Sequence, residues 1–255
     1  PDSSQLVIWE DPKPQHQYVL GARSAEGLKH TDFSVVVVFD RTNGEFLREV
    51  ACYRGQATGI ELGDIIAWLG LKYHGAYAVP EATRPAAAQR LVQKKYPYVY
   101  LRKNEERVGA NINSITQFTP GFKAQRGLKE MILDHAQDAF RREEIILKSK
   151  WCIKEHLVFT NIDGSRKAPA GETDDGVISV ALAIYGHRHA APKVVVPKDL
   201  RKTELTRDPE DAKDPYERHL LELVAKKKHK SEQRNKRRIK QRERNARIRL
   251  NQLFK

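Results

Sequence analysis

Phe33-Ser34-Val35-Val36-Val37-Val38-Phe39-Asp40-Arg41-Thr42-Asn43-Gly44 is the stretch that decides the fold. Four consecutive valines between two phenylalanines form a strongly β-branched run, which reads as a buried strand. Asn43-Gly44 then supplies the residue pair of a tight hairpin turn. Glu45–Arg54 follows as the returning strand. Upstream, Gln17–Ala22 is a short apolar strand, joined to Phe33–Asp40 by a Gly27-containing turn over Ser24–Asp32. Three strands in chain order with short turns predict an antiparallel meander.

Beyond the meander the apolar period lengthens. Ile60–Tyr73 carries apolar residues at 62, 65, 66, 69 and 73, a helical stripe. Ala76–Pro80 is a short buried strand that ends at Glu81. Arg84–Lys95 is a helix with Pro85 in its first turn, where proline is tolerated, and Tyr98–Leu101 is another strand. Lys123–Arg142 again shows a helical face, and Asp175–Tyr185 is a fourth helix. A meander followed by alternating strands and helices predicts an α/β domain with a mixed sheet over residues 17–191. Residues 1–16, with Pro12 and Pro14, read as an irregular lead-in. Residues 192–213 read as a linker, and residues 214–255 as a basic, helical tail.

The chain has 255 residues and is 40% hydrophobic, enough for one core plus an appendage. No apolar run, Val35–Phe39 included, approaches the ~18–20 residues of a membrane span. The opening Pro1-Asp2-Ser3-Ser4 lacks the basic and apolar regions of a signal peptide and lacks an initiator Met, so a fragment of a longer protein is expected. Cys52 and Cys152 are too few for a disulfide framework and indicate a reducing cytoplasm. Charge is unevenly placed. Residues 226–255 hold 14 Lys and Arg against 2 acids, so nearly all of the chain's net charge of +13 lies there. Such a tail calls for a polyanionic or acidic partner.

The chemistry centres on Gly171-Glu172-Thr173-Asp174-Asp175-Gly176, which runs into the apolar Val177–Ile184. Carboxylates gathered from distant segments onto one sheet edge are how a protein holds hard divalent cations, and two such ions drive in-line attack on a phosphodiester. Three segments together resemble the nuclease domain of tailed-bacteriophage terminase large subunits. Gly21-Ala22-Arg23-Ser24-Ala25-Glu26-Gly27 followed by Thr31-Asp32-Phe33-Ser34 is similar to that family's G-x-D-x-A-E-G and G-D-[YF]-S. Ala78-Val79-Pro80-Glu81 resembles its second acidic strand end, with Thr83 and Ala86 where Asn and Gly are usual. Gly171–Asp175 resembles its G-x-H-D-D. Tyr96-Pro97 before a strand and Lys123 opening a helix fit the same pattern, so the likeness spans residues 17–186.

The resemblance implies a ribonuclease H-like fold that cuts concatemeric double-stranded DNA with two Mg²⁺ or Mn²⁺ ions. It assigns Glu81, Asp174 and Asp175 as metal ligands and catalytic residues, with Glu26 and Asp32 behind them. It also implies an N-terminal ATPase motor outside this chain, since no G-x-x-x-x-G-K-[ST] occurs. The portal and the small subunit become partners, and the host cytoplasm the compartment. Arg23 departs from the pattern: it stands at the family's first aspartate, and a guanidinium cannot ligate a cation. It is expected to pair with Glu81 or Asp174, to weaken metal binding and to impair cleavage.

Plainer roles stand beside these. Asp174 and Asp175 would also suit a helix N-terminus, and Glu81 an exposed turn. Gly186-His187-Arg188-His189 reads as a solvated loop, and Trp9, Trp68 and Trp151 as packing residues. Lys123 and Arg126 fit a phosphate contact or a solvated first turn. Lys226, Lys227, Lys228, Arg237 and Arg238 would follow a DNA backbone or an acidic protein surface. Two other functions share the fold: a nucleic-acid-binding module without catalysis, and a junction resolvase or transposase. Like charges crowded at a metal site repel one another when the metal is missing, so Asp174→Asn or Asp175→Asn should leave the melting temperature equal or slightly raised.

Overall fold

A computed structural model describes residues 5–25, 33–44, 46–108 and 113–191. Its central sheet has the order β1(Gln5–Ile8)–β4(Leu47–Gly55)–β3(Ser34–Asp40)–β2(Tyr18–Arg23)–β5(Tyr77–Pro80). The first four of these are antiparallel to their neighbours, whereas β2 and β5 run parallel: the chain reaches β5 from β4, which has the same direction as β2, by a crossover through the helix over 59–72. Residues 5–8 therefore form an edge strand on β4 rather than an irregular lead-in.

The valine run is buried on both faces, which is why it shows no alternation with polar residues. Val35, Val37 and Phe39 pack on one side, against α3(Arg126–Arg141) and α5(Asp175–Tyr185). Val36 and Val38 pack on the other, against α1(Gly59–Lys72) and α2(Ala86–Gln93). Gly44 takes φ +75° in the hairpin turn, a conformation that glycine adopts without a Cβ penalty. Thr58 and Glu61 close a reciprocal capping box at the start of α1.

On β2, the side chains of Val19, Gly21 and Arg23 share the face that meets α5. At Gly21 the helix lies directly on the strand: a Cβ there would stand 1.9 Å from the Ser179 carbonyl oxygen and 2.7 Å from the Ala183 nitrogen. This contact draws α5 across the sheet with its N-terminus at the Arg23 end.

Several elements differ from the sequence reading. Residues 98–100 run beside β5 through Ala78–Val99, and the chain then enters a hairpin, β6(Leu101–Val108) and β7(Asn113–Pro120). α3 begins at Arg126, so Lys123 precedes the helix rather than opening it. After α3 comes β8(Ile145–Ile146), parallel to β4, and then α4(Lys150–Val158). A small hairpin, β9(Thr160–Ile162) and β10(Ser165–Lys167), leads towards α5. Glu49 on β4 holds the start of α4 by accepting from the backbone N–H groups of Lys148 (2.6 Å) and Ser149 (3.0 Å).

Gly186–Ala190 is a π-helical continuation of α5, not a solvated loop. Arg188 there reaches Glu144 at 2.6 Å and Asp138 at 3.2 Å, and His189 stacks on His135. Trp151 packs against the core on the α5 side, as does Trp9. Trp68 is instead half exposed on α1. Among the described residues, no helix is long and apolar enough to cross a membrane.

Candidate active site

The register of the parallel pair places the site. Ala22 lies opposite Pro80, and the Glu81 N–H donates to the Ala22 carbonyl at 2.8 Å. Glu81 therefore emerges beside Arg23, on the face it shares with Val79. A bridge to Phe122 and an Ala82 N–H bond to the Phe122 carbonyl (2.7 Å) fix the chain beyond it. The Thr83 hydroxyl donates to Glu81 Oε1 at 3.0 Å. Asp174 and Asp175 arrive from across the sheet, at the start of α5.

Arg23 sits at the middle of this convergence. Its Nη1 donates to Asp174 Oδ1 at 2.5 Å, its Nε lies 3.1 Å from Asp175 Oδ1, and the same Nε is 3.6 Å from Glu81 Oε2. The expectation of a pairing with Glu81 or Asp174 thus becomes contact with all three acids. The four side chains are only 10–18% exposed. Burial pulls the guanidinium pKa down, but the charges of Asp174, Asp175 and Glu81 outweigh that and raise it above its ordinary value. Lys129 on α3, absent from the sequence reading, places Nζ 3.8 Å from Asp174 Oδ2. Asp175 Oδ2 accepts from the Phe33 N–H at 3.3 Å, which ties α5 to the start of β3.

Asp174 occupies the N-cap position of α5, yet its side chain makes no capping hydrogen bond. The N–H of Gly176 donates instead to Glu155 Oε2 of α4 at 2.7 Å, and the Thr173 hydroxyl donates to Glu155 Oε1 at 2.6 Å. Glu155 is 4% exposed. Burial is the main cause that pushes its carboxyl up to about 7; the bonds from Thr173 and Gly176 oppose the rise, and the Asp175 charge adds to it. Sequence reading passed over Glu155 because α4 is short, with no sustained apolar face to mark it as an element.

The site as built does not suit a divalent cation. The carboxylates that would ligate one are turned onto a guanidinium in their midst, and it cannot leave without breaking three ion pairs. Among the described residues no group of three or more His, Cys, Asp or Glu side chains is arranged to hold a metal. Lys123 is exposed next to Phe122, close in sequence to the residue that bridges Glu81. The side chain of Arg126 lies outside the described residues, as do Glu26, Asp32, Lys226, Lys227, Lys228, Arg237 and Arg238.

Two expected results follow from these contacts. Asp174→Asn should lower stability by about 1.5–3 kcal/mol, the range for a charge-assisted hydrogen bond. This reverses the sequence expectation, because the acid is compensated by Arg23 and Lys129 rather than repelled by its neighbours. Thermal unfolding of Asp174→Ser separates the causes: serine is a good N-cap, so a cap role would preserve the melting temperature, whereas loss of the ion pair lowers it.

Glu155 makes stability depend on pH. Its folded pKa is raised above the unfolded value, so its favourable contribution is present below about 4.5 and is lost as pH climbs through about 7. The full change is on the order of 3 kcal/mol. Glu155→Gln should flatten the stability profile across that window in urea titrations at several pH values. An unchanged slope would mean that the carboxyl titrates normally.

No protein-family profile matches the sequence, and no curated protein sequence matches it. Solved structures do. The large terminase nuclease from thermophilic phage G20c is 21% identical over 71% of this chain and 87% of that one, with a TM-score of 0.54. The same nuclease with bound magnesium gives 21% identity over 70% and 86%, also at 0.54. The large terminase nuclease domain of Thermus phage P74-26 is 21% identical over 71% and 85%, at 0.53. A mixed sheet of antiparallel and parallel strands flanked by helices is common to them and to this chain, which has the ribonuclease H-like fold.

Proposed function

We propose that the chain is the nuclease domain of a viral DNA-packaging terminase large subunit, with double-stranded DNA as its substrate. The supporting observation is that three segments far apart in sequence bring Arg23, Glu81 and Asp174–Asp175 to one sheet edge, in a fold shared with terminase nucleases. One of those is described with magnesium bound. A centre for Mg²⁺ or Mn²⁺ built from Glu81, Asp174 and Asp175 would need an acid at position 23. With arginine there, cleavage is absent or feeble. A second reading gains from the same contact: a nucleic-acid-binding module that kept the fold and gave up catalysis.

Plasmid nicking in Mg²⁺ or Mn²⁺ separates the two. Arg23→Asp should cleave where the unsubstituted chain does not, and adding Asp174→Asn should abolish the gain. No cleavage by Arg23→Asp at any metal concentration would favour the non-catalytic module. A strong preference of Arg23→Asp for branched DNA would favour a junction resolvase.

In this reading the protein acts in the host cytoplasm, beside an ATPase motor, the portal and the small subunit. The basic tail supplies most non-specific DNA affinity. Binding driven by counterion release falls with salt with a slope of about −0.9 per phosphate neutralised. Truncation after Val224 should therefore remove most affinity and flatten the salt dependence, on A·T-rich and G·C-rich duplexes alike. Equal affinity and slope in filter binding of both chains would point the tail towards a protein partner.

A further inference from the structure

Asp174 is free to face the centre of the site because something else caps α5. Aspartate at an N-cap ordinarily turns its carboxylate back onto the backbone N–H of the second or third helical residue, here Gly176 or Val177. Here the Gly176 N–H is already satisfied by Glu155 from the neighbouring helix, and the hydroxyl of Thr173 is held by the same carboxylate. The two bonds bracket Asp174 and Asp175 on either side. The fit is close: a Cβ on Gly176 would stand 2.6 Å from the Trp151 ring, 2.8 Å from Glu155 Oε2 and 3.0 Å from Cys152 Sγ. Glycine at 176 lets α4 come near enough for its carboxylate to reach the N–H. Lys154, next to Glu155, also pairs with Glu172 at 2.9 Å. Glu49, buried in the sheet, anchors the start of α4. A chain of contacts thus runs from β4 through α4 to the 172–176 segment.

We propose that Glu155 is a positioning residue, which caps α5 from α4 and so holds the Asp174 and Asp175 carboxylates turned towards the site. It does not touch the reacting centre. Without it, Asp174 would be drawn into the vacant cap and away from position 23.

Glutamine can replace glutamate in this role. Its carbonyl oxygen accepts from the Gly176 N–H, and its amide donates to the Thr173 hydroxyl, which accepts as well as donates. Alanine can do neither. The two variants separate positioning from any need for the charge, which glutamine would abolish.

The first measurement is amide hydrogen exchange on the unsubstituted chain. Glu155→Ala should speed exchange at Gly176 by roughly tenfold or more relative to the core strands, while Glu155→Gln leaves it protected. The second, which rests on the nuclease reading, is Mn²⁺ affinity in the Arg23→Asp background, measured below the melting temperature. Glu155→Ala should weaken affinity by about 10- to 100-fold, as loss of an orienting partner does, and Glu155→Gln should keep it. If Glu155→Ala fails to fold, Thr173→Val, which puts a methyl group in place of the hydroxyl, should still weaken Mn²⁺ binding severalfold. Should Arg23→Asp bind no Mn²⁺ at all, the nuclease reading fails, and exchange at Gly176 still decides the role of Glu155. Unchanged exchange in Glu155→Ala, or equal losses with Gln and Ala, would overturn the proposal.

Discussion

Gly21→Ala is expected to cost the domain about 3 kcal/mol or more, at the upper end of what overpacking does. The methyl group would stand 1.9 Å from the Ser179 carbonyl oxygen and 2.7 Å from the Ala183 nitrogen. Both are backbone atoms in the middle of α5, so no side-chain rotation relieves the contact. Either α5 lifts off β2 or the strand bows, and α5 is buried at every position from Asp175 to Ile184. In a domain of this size each kcal/mol shifts the melting temperature by about 2–4 °C, so a fall of roughly 6–12 °C is expected. Lifting α5 would also carry Asp174 away from Arg23. Circular dichroism melts of the purified variant are the check, and a melting temperature within about 2 °C of the parent would mean that the helix does not lie on this glycine.

Arg23→Asp should destabilise the domain in chelator and regain much of the loss in Mn²⁺. The substitution removes the cation that touches Glu81, Asp174 and Asp175 and adds a fourth acid beside them. Breaking one partner of a buried ion pair costs about 3–5 kcal/mol, because the other charge stays buried without compensation. Ligand binding to the folded state returns about 2.7 kcal/mol at a hundredfold excess over Kd. The unsubstituted chain should melt at the same temperature with or without the metal. Scanning calorimetry of both proteins in chelator and in Mn²⁺ is the comparison; a metal-dependent rise in the unsubstituted chain would show that Arg23 does not fill the cation position.

Residues whose roles follow from local pattern were legible in the sequence. The valine run, the Asn43-Gly44 turn and the start of α5 at Asp175 stand where periodicity and turn chemistry put them. Glu81, Asp174 and Arg23 were identified through a resemblance spread over the chain; the β2–β5 register brings Glu81 beside Arg23, and the start of α5 brings Asp174 to them. Tertiary contacts were not legible. Gln5–Ile8 is a strand only because the edge of β4 is open to it. Glu155 is a cap for a helix twenty residues away, with no local spacing to reveal it. The reversal at Asp174 has the same origin: acids crowded in sequence suggest repulsion, until a cation from residue 23 is seen among them. Trp68, read as a packing residue, is half exposed because α1 turns that side away from the sheet.

Calorimetric titration with Mn²⁺ tests the role of Arg23 most directly. A guanidinium held among Glu81, Asp174 and Asp175 opposes a divalent ion by several kcal/mol at ~4 Å, even at an effective dielectric near 20. The unsubstituted chain should show no tight binding, and Arg23→Asp should show two sites. Tight two-site binding by the unsubstituted chain would contradict the assignment of Arg23 as the cation of this site.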